Sequence, residues 1–299
     1  MNRQAKTIIQ KAYTKFIDDG PIRLAATLSF IAIFAFAPIV VIVLSLIGFI
    51  TDQDIASLKL FVTLNDFIGV KATELIREIV ANYSFDPMNL PKTLLSGFIF
   101  IVATTTFFSI IQNSLNYIWR VKTRNRDILQ TIRDRMLTIL MIVGLSILFL
   151  FTLLVEAYAM LLKSYLESTL PDFAYIILKL TKILFSTSIF ILCFAAFFKF
   201  LPDVLIKWKV VWMGAIITGI LFSIGKIIIS FGLSHVQLAS IYGAAGSLIV
   251  FLLWVFYSAI IFYFGAEITH QYAEVNDKQI VPKHYAVKFK IVECDTDKH

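Results

Sequence analysis

Charged residues are scarce in this chain. Asp, Glu, Lys and Arg make up 16% of the 299 residues, against about 25% in ordinary soluble domains. A water-facing fold of this length cannot cover its surface with so few, so a soluble globule is excluded. Cysteine is rarer still. Cys193 sits within an apolar run and Cys294 near the polar end of the sequence, which rules out a disulfide framework or a cysteine zinc site. The four histidines, His235, His270, His284 and His299, form no H-x-x-x-H pair and have no carboxylate cluster beside them. A P-loop and a G-x-S-x-G elbow are also missing. The sequence therefore supports neither ATP-driven transport nor metal-assisted hydrolysis by a known motif, and it calls for no metal or other cofactor. Low-complexity tracts and defensible repeats are absent as well.

What is abundant is apolar. Hydrophobic residues reach 59%, with 28 Phe. Crossing a hydrocarbon core of about 30 Å takes roughly 20 residues of helix. Six runs meet that length: 24–50, 93–118, 136–162, 175–201, 210–233 and 246–266. Backbone groups in lipid must pair within their own segment, so these runs are expected to be helices. The first is expected to be retained although Ala35-Phe36-Ala37 has the look of a cleavage site. The run continues to Ile50, and Pro38 stands where cleavage would fall.

The net charge is +7, and most charged residues cluster in the connections. Segments 1–23, 119–135, 202–209 and 267–299 carry 18 Lys and Arg, whereas 51–92, 163–174 and 234–245 carry five. By the positive-inside rule both termini are expected in the cytoplasm. Anionic lipid headgroups, not nucleic acid, are the partners this pattern implies; a homo-oligomer is left open. The fold class expected is all-α: a polytopic six-helix membrane protein with short amphipathic interfacial helices. Residues 1–23 would form a cytoplasmic interfacial segment and 267–299 a cytoplasmic tail. In 3–17, Ile8, Ile9, Ala12, Tyr13, Phe16 and Ile17 recur at helical spacing among Arg3, Lys6, Lys11 and Lys15, and Asp19-Gly20-Pro21 breaks the helix. A second stripe, Leu75, Ile76, Ile79, Val80 and Tyr83, precedes Pro87 and Pro91, and a third follows Arg120 at Ile128, Leu129 and Ile132. Six helices also divide as three plus three, an inverted arrangement shared by many transporters.

Within the runs, polar residues are the candidates for function. Glu156 and Lys226 are lone charges that the topology places about 30 and 24 Å from the cytoplasmic ends of their helices. Either they share a polar cavity or each reaches the outer interface independently. Thr105, Ser109, Gln112, Asn113 and Asn116 occupy one face of the second run, fit for hydrogen bonding between helices or for lining a path. Ala215, Gly219 and Ser223 form a small-xxx-small packing series, and Pro38 is a candidate kink. Asp203 and Glu267 mark the cytoplasmic face, where Lys199, Lys207 or Lys209 are the expected ion-pair partners.

Several segments together resemble the YihY/BrkB family of bacterial inner-membrane proteins. They are Ala25-Ala26-Thr27-Leu28-Ser29-Phe30 leading to Phe36-Ala37-Pro38, then Leu201-Pro202-Asp203-Val204 with Trp208 and Gly214-Ala215, and Tyr242-Gly243-Ala244-Ala245-Gly246-Ser247 followed by Leu252-Leu253-Trp254, Tyr257-Ser258-Ala259 and Gly265-Ala266-Glu267. The resemblance covers roughly residues 15–272. It implies a six-helix, multi-pass protein of the bacterial cytoplasmic (inner) membrane. Members have carried a ribonuclease BN label, but the carboxylate and histidine metal ligands such a nuclease needs are missing here, so no enzyme is expected. Links of other members to serum resistance and to movement of envelope lipids imply a transporter or a flippase-like, lipid-handling role in envelope biogenesis, with a lipid or another anion as substrate. The alternative is a non-transporting scaffold for envelope machinery, and an integral-membrane enzyme comes third.

Overall fold

The computed structural model describes residues 2–48, 57–58, 60–62, 64–65, 70–82, 90–124, 136–137, 139–144, 146–148, 151, 171–235, 242, 245–278 and 280–291. Glu156, Cys294 and the stripe at Ile128, Leu129 and Ile132 lie outside them.

The apolar runs are helical wherever they are described. In chain order the elements are α1 (Asn2–Asp18), α2 (Pro21–Gly48), α3 (Val70–Asn82), α4 (Leu90–Ile118), β1 (Val121–Thr123), α5 (Pro171–Phe200), β2 (Val204–Leu205), α6 (Trp208–His235), α7 (Gly246–Val275), β3 (Val281–Pro282) and β4 (Ala286–Lys288). Among the described residues, three helical stretches are each long and apolar enough to cross a membrane: Ile183–Phe200, Trp208–Ile229 and Gly246–Val275. A fourth span is reached if α1 and α2 count as one bent pair, with 67° between them.

That bend sits at the expected breaker. Gly20 adopts φ +66, a left-handed conformation open to a residue without Cβ. Pro21 then opens α2, where its missing N–H is no loss. α2 runs on through Pro38 to Gly48.

α7 is the central helix. It packs against α1, α2, α3, α4 and α6, while α5 packs chiefly against α6. A helix surrounded in this way must be apolar on every side, and buried residues do run along it from Gly246 to Ala273. Its neighbours approach closely because small residues meet. A Cβ at Gly214 on α6 would collide with Thr269 on α7, and one at Gly265 on α7 would collide with Thr218 on α6. Aromatic rings fill the space beside this crossing. Phe198 stacks on Phe262 at 5.2 Å, and Phe190 meets Phe222 at 4.5 Å. The outer faces are apolar as well: Phe30, Phe98, Leu184 and Ile227 are all more than half exposed. So large an apolar exterior fits lipid as its surroundings.

α1 shares its apolar arc between two environments. Ala12 is fully buried, and Phe16 meets Phe264 of α7 edge-on at 5.2 Å. Ile9, Tyr13 and Ile17, four residues apart, remain more than half exposed. On α3, Ala72, Thr73 and Ile76 are buried, and Arg77 lies over the Phe61 ring at 4.8 Å.

The chain beyond the last apolar run is ordered structure. α7 runs past Ala266 to Val275, because Glu267, Thr269, His270 and Gln271 are buried in a polar setting that hydropathy does not register. The segment that follows folds back as two strands. β4 pairs antiparallel with β1, setting Val121 opposite Lys288 and Thr123 opposite Ala286. β3 pairs with β2, setting Val204 opposite Pro282. The start of α2, the ends of α4, α5 and α7, and the start of α6 therefore gather at one polar end of the bundle.

Candidate functional site

Asp203 organises the polar end. It lies between α5 and α6, fully buried, and its carboxylate accepts four side-chain hydrogen bonds. Gln112 Nε2 and Tyr285 OH donate to Oδ1 at 3.1 and 3.0 Å. Asn116 Nδ2 and Thr123 Oγ1 donate to Oδ2 at 2.8 and 3.0 Å. Asn116 also accepts the Asp203 backbone N–H at 2.8 Å, so both ends of its amide are committed. The Asp203 carbonyl takes the Lys283 N–H at 3.0 Å. One side chain thus ties together α4, β1, the α5–α6 link and the C-terminal strands. A buried carboxylate is tolerated when donors replace its water, and here all four are neutral.

The expected lysine partners stand elsewhere. Lys199 Nζ donates to the Ile206 carbonyl at 2.6 Å and lies 5.3 Å from the Trp208 ring centre. Lys207 and Lys209 are exposed.

The polar face of α4 divides along its length. Thr105 turns its hydroxyl back to the Ile101 carbonyl at 2.6 Å, and Ser109 is half-buried. Gln112 and Asn116 join Asp203, while Asn113 is exposed and, with Asn116, lines a cavity of about 410 Å³. Lys122, Arg124 and Thr123 of β1 and its continuation form another wall, with Tyr117 and Phe289 completing it. Two cations and the exposed Asn113 amide around such a volume suit an anion the size of a phosphate-bearing headgroup. The carbonyl end of α4 would repel an anion, but Arg120 covers part of it by donating to the Tyr117 carbonyl at 3.0 Å.

A second cluster surrounds Arg120. Its guanidinium grips Asp19 at the α1–α2 elbow with two bonds of 3.0 and 2.7 Å. Burial holds the Asp19 carboxyl above its ordinary 3.8, against the opposing pull of Arg120. Burial works against the charge of Arg120, but the bonds and field of Asp19, with the field of Glu267, outweigh it and raise the guanidinium further. Glu267 on α7 is fully buried and accepts Gln271 Nε2 at 2.9 Å. His270, one turn on, places Nδ1 at 3.9 Å from Glu267 Oε1 and Nε2 at 3.8 Å from Glu274 Oε1. Among the described residues, neither Glu267 Oε2 nor His270 Nδ1 has a hydrogen-bond partner.

The remaining candidates are distributed through the helices. Lys226 is partly buried on α6, and its proposed partner Glu156 lies outside the described residues. Gly219 and Ser223 face α5, where a Cβ at 219 would press on Ile191 and the Ser223 hydroxyl meets Thr187 at 3.0 Å. Ala215 and Pro38 are buried. Sequence reasoning missed Thr123, Tyr285, Arg120 and His270 as site residues. In the sequence Asp19 is part of a helix breaker and Arg120 one of the basic residues of a connection.

Comparison with known proteins places this arrangement. The family described as Virulence factor BrkB matches residues 12–288. A UPF0761 membrane protein of Ralstonia nicotianae is 22% identical, over 84% of this chain and 55% of its own length. One from Aliivibrio fischeri strain MJ11 is 31% identical over 60% of this chain and 55% of its own. Another, from Aeromonas salmonicida, is 22% identical over 87% of each. The chain thus spans about half the length of several curated relatives that it matches. No solved structure matches it.

Proposed function

Starting from the fact that this chain belongs to the BrkB family of membrane proteins, we propose that it is a transporter or flippase-like, lipid-handling protein that draws an anionic headgroup into the polar end of its bundle. In this reading it is a multi-pass protein of the bacterial inner membrane with six spans and both termini in the cytoplasm. The basic loops then hold the polar end at the cytoplasmic headgroup layer. α1 lies in that layer, with Ile9, Tyr13 and Ile17 towards the acyl chains. The reading includes no catalysis and no nucleic-acid partner.

The observation that carries it is the 410 Å³ cavity walled by Lys122, Arg124 and Asn113. A second cavity supports it: about 420 Å³ and lined by apolar residues, among them Leu140, Met141, Leu192, Phe197 and Trp212. Its lining suits an acyl chain, as the first suits a headgroup.

Proteoliposomes carrying a headgroup-labelled anionic phospholipid and a membrane-impermeant quencher test the proposal. The protein should expose the protected inner-leaflet label. Each cation near an anionic surface is worth about 1 kcal/mol, so Lys122→Ala with Arg124→Ala should weaken headgroup binding about 30-fold. A double variant that binds and moves the label like the wild type would remove the cavity from the path. Wild-type vesicles indistinguishable from protein-free ones would favour the scaffold alternative.

A further inference from the structure

We propose that Glu267 and His270 bind one proton between them, forming a proton site that sets how Arg120 is shared between two buried carboxylates. The site is separate from the headgroup cavity and does not depend on the transport reading.

Charge balance at the α1–α2 elbow leads to this. Asp19, Glu267 and His270 are 3%, 0% and 7% exposed, and Arg120 is mostly buried. With both carboxylates ionised and the imidazole neutral, the buried groups sum to one negative charge. An uncompensated buried charge costs several kcal/mol. A single proton cancels it, whether it rests on the carboxylate or on the imidazole.

Geometry selects where that proton goes. Both Asp19 oxygens are held by the Arg120 guanidinium, whose charge opposes a proton there. Glu267 keeps Oε2 without a partner among the described residues, and His270 keeps Nδ1 without one. These groups are one helical turn apart, with 3.9 Å between Nδ1 and Oε1. A side-chain rotation that moves the two atoms about 1 Å closer would make this a hydrogen bond of about 2.9 Å. The proton comes from water and returns to it. A cavity of about 180 Å³, lined by His270, Glu274, Asp277 and Lys288, reaches the imidazole from outside.

The charges around this site come from several elements. α1 contributes Lys15, which pairs with Glu274 at 3.9 Å, and the elbow contributes Asp19. The turn after α4 supplies Arg120, α7 supplies Glu274, the segment after it Asp277, and β4 Lys288. Lys15 is engaged with the rim carboxylate, so Arg120 is the cation that both buried carboxylates share. Proton uptake removes Glu267 from that competition and leaves Arg120 wholly to Asp19, tightening the elbow against α4.

The test is proton uptake by the full chain in nanodiscs, stepped from about pH 8 to about pH 5, the range in which imidazoles change charge. A shared proton has a distinctive signature: Glu267→Gln should lose about one proton per chain although the imidazole is still present, and adding His270→Gln to it should lose no more. Independent groups behave differently, since Glu267→Gln would then take up as many protons as the wild type; that result overturns the proposal. Should Glu267→Gln fail to fold, His270→Asn together with ¹⁵N-histidine spectra of the wild type decides. One imidazole should convert with its Nδ1–H hydrogen-bonded, and four imidazoles all behaving as free histidine would refute the site.

Discussion

Removing the Asp203 carboxylate should release the C-terminal strands, and two substitutions separate the role of its charge from that of its shape. Asp203→Ala takes the acceptor from Gln112, Asn116, Thr123 and Tyr285 together. The two hydroxyls can turn to other acceptors. The two amides are buried, and each stranded donor costs about 1–3 kcal/mol. The expected loss is therefore about 2–6 kcal/mol, concentrated where α4 meets the tail. Asp203→Asn behaves differently. Asn116 cannot turn over, because its Oδ1 holds the residue 203 N–H. The new amide must then keep its oxygen towards Asn116 and Thr123 and present nitrogen to Gln112 and Tyr285. Gln112 can rotate its amide to accept, and the tyrosine hydroxyl can accept as well as donate. All four contacts survive as neutral bonds, each weaker by roughly 1 kcal/mol than its charge-assisted form, while a buried charge is spared desolvation. The net cost should be about 1–2 kcal/mol. Denaturant unfolding in detergent gives the stabilities. Limited trypsin digestion at Lys278, Lys283 and Lys288 shows whether the strands have detached. The reasoning fails if the alanine variant keeps its tail as protected as the wild type, or if asparagine is as damaging as alanine.

Two further outcomes follow from packing and from titration. Gly214→Ala should destabilise by about 1–3 kcal/mol, since its Cβ would strike Thr269 on the central helix; Gly144→Ala, which meets nothing within 4 Å, should be neutral or gain up to about 1 kcal/mol of helix propensity, and equal unfolding curves for the two variants would contradict the crossing. Asp19 binds a proton more readily folded than unfolded, so its contribution to stability should fall as pH rises from 3.8 through its raised value; Asp19→Asn should flatten that slope and Arg120→Gln should extend it to higher pH, both read from unfolding at a series of pH values.

The long helices were legible in the sequence because they follow apolar runs, and α1 and α3 because apolar residues recur at helical spacing. The α1–α2 break was legible because Gly20 and Pro21 act on the local backbone. Hydropathy could not show where α7 ends. It ends the last apolar run at Ala266, whereas Glu267, His270 and Gln271 continue the helix inside a polar cluster. The polar face of α4 was visible from spacing, but its purpose depends on Thr123, Asp203 and Tyr285, the last 82 positions beyond Asp203. Such pairings come from tertiary contact and leave no periodic trace. Arg120 was hidden for another reason. A basic residue at the end of a span looks the same whether it sets topology or clamps a buried aspartate.

The two polar clusters meet in one turn of chain. Arg120 has φ +56, a left-handed backbone that costs a non-glycine residue about 1–2 kcal/mol. Glycine would remove that cost, so what holds an arginine there is its side chain. It anchors Asp19 with two bonds and covers the Tyr117 carbonyl. The same turn swings the chain directly into β1, where Lys122 and Arg124 become walls of the 410 Å³ cavity. Phe289, on another wall, donates its N–H to the Arg120 carbonyl at 3.0 Å. Arg120 therefore faces the elbow cluster with its guanidinium and braces the cavity with its backbone. A shift in how the guanidinium divides between Asp19 and Glu267 acts on that backbone within a single residue, with no long chain of contacts needed to carry it.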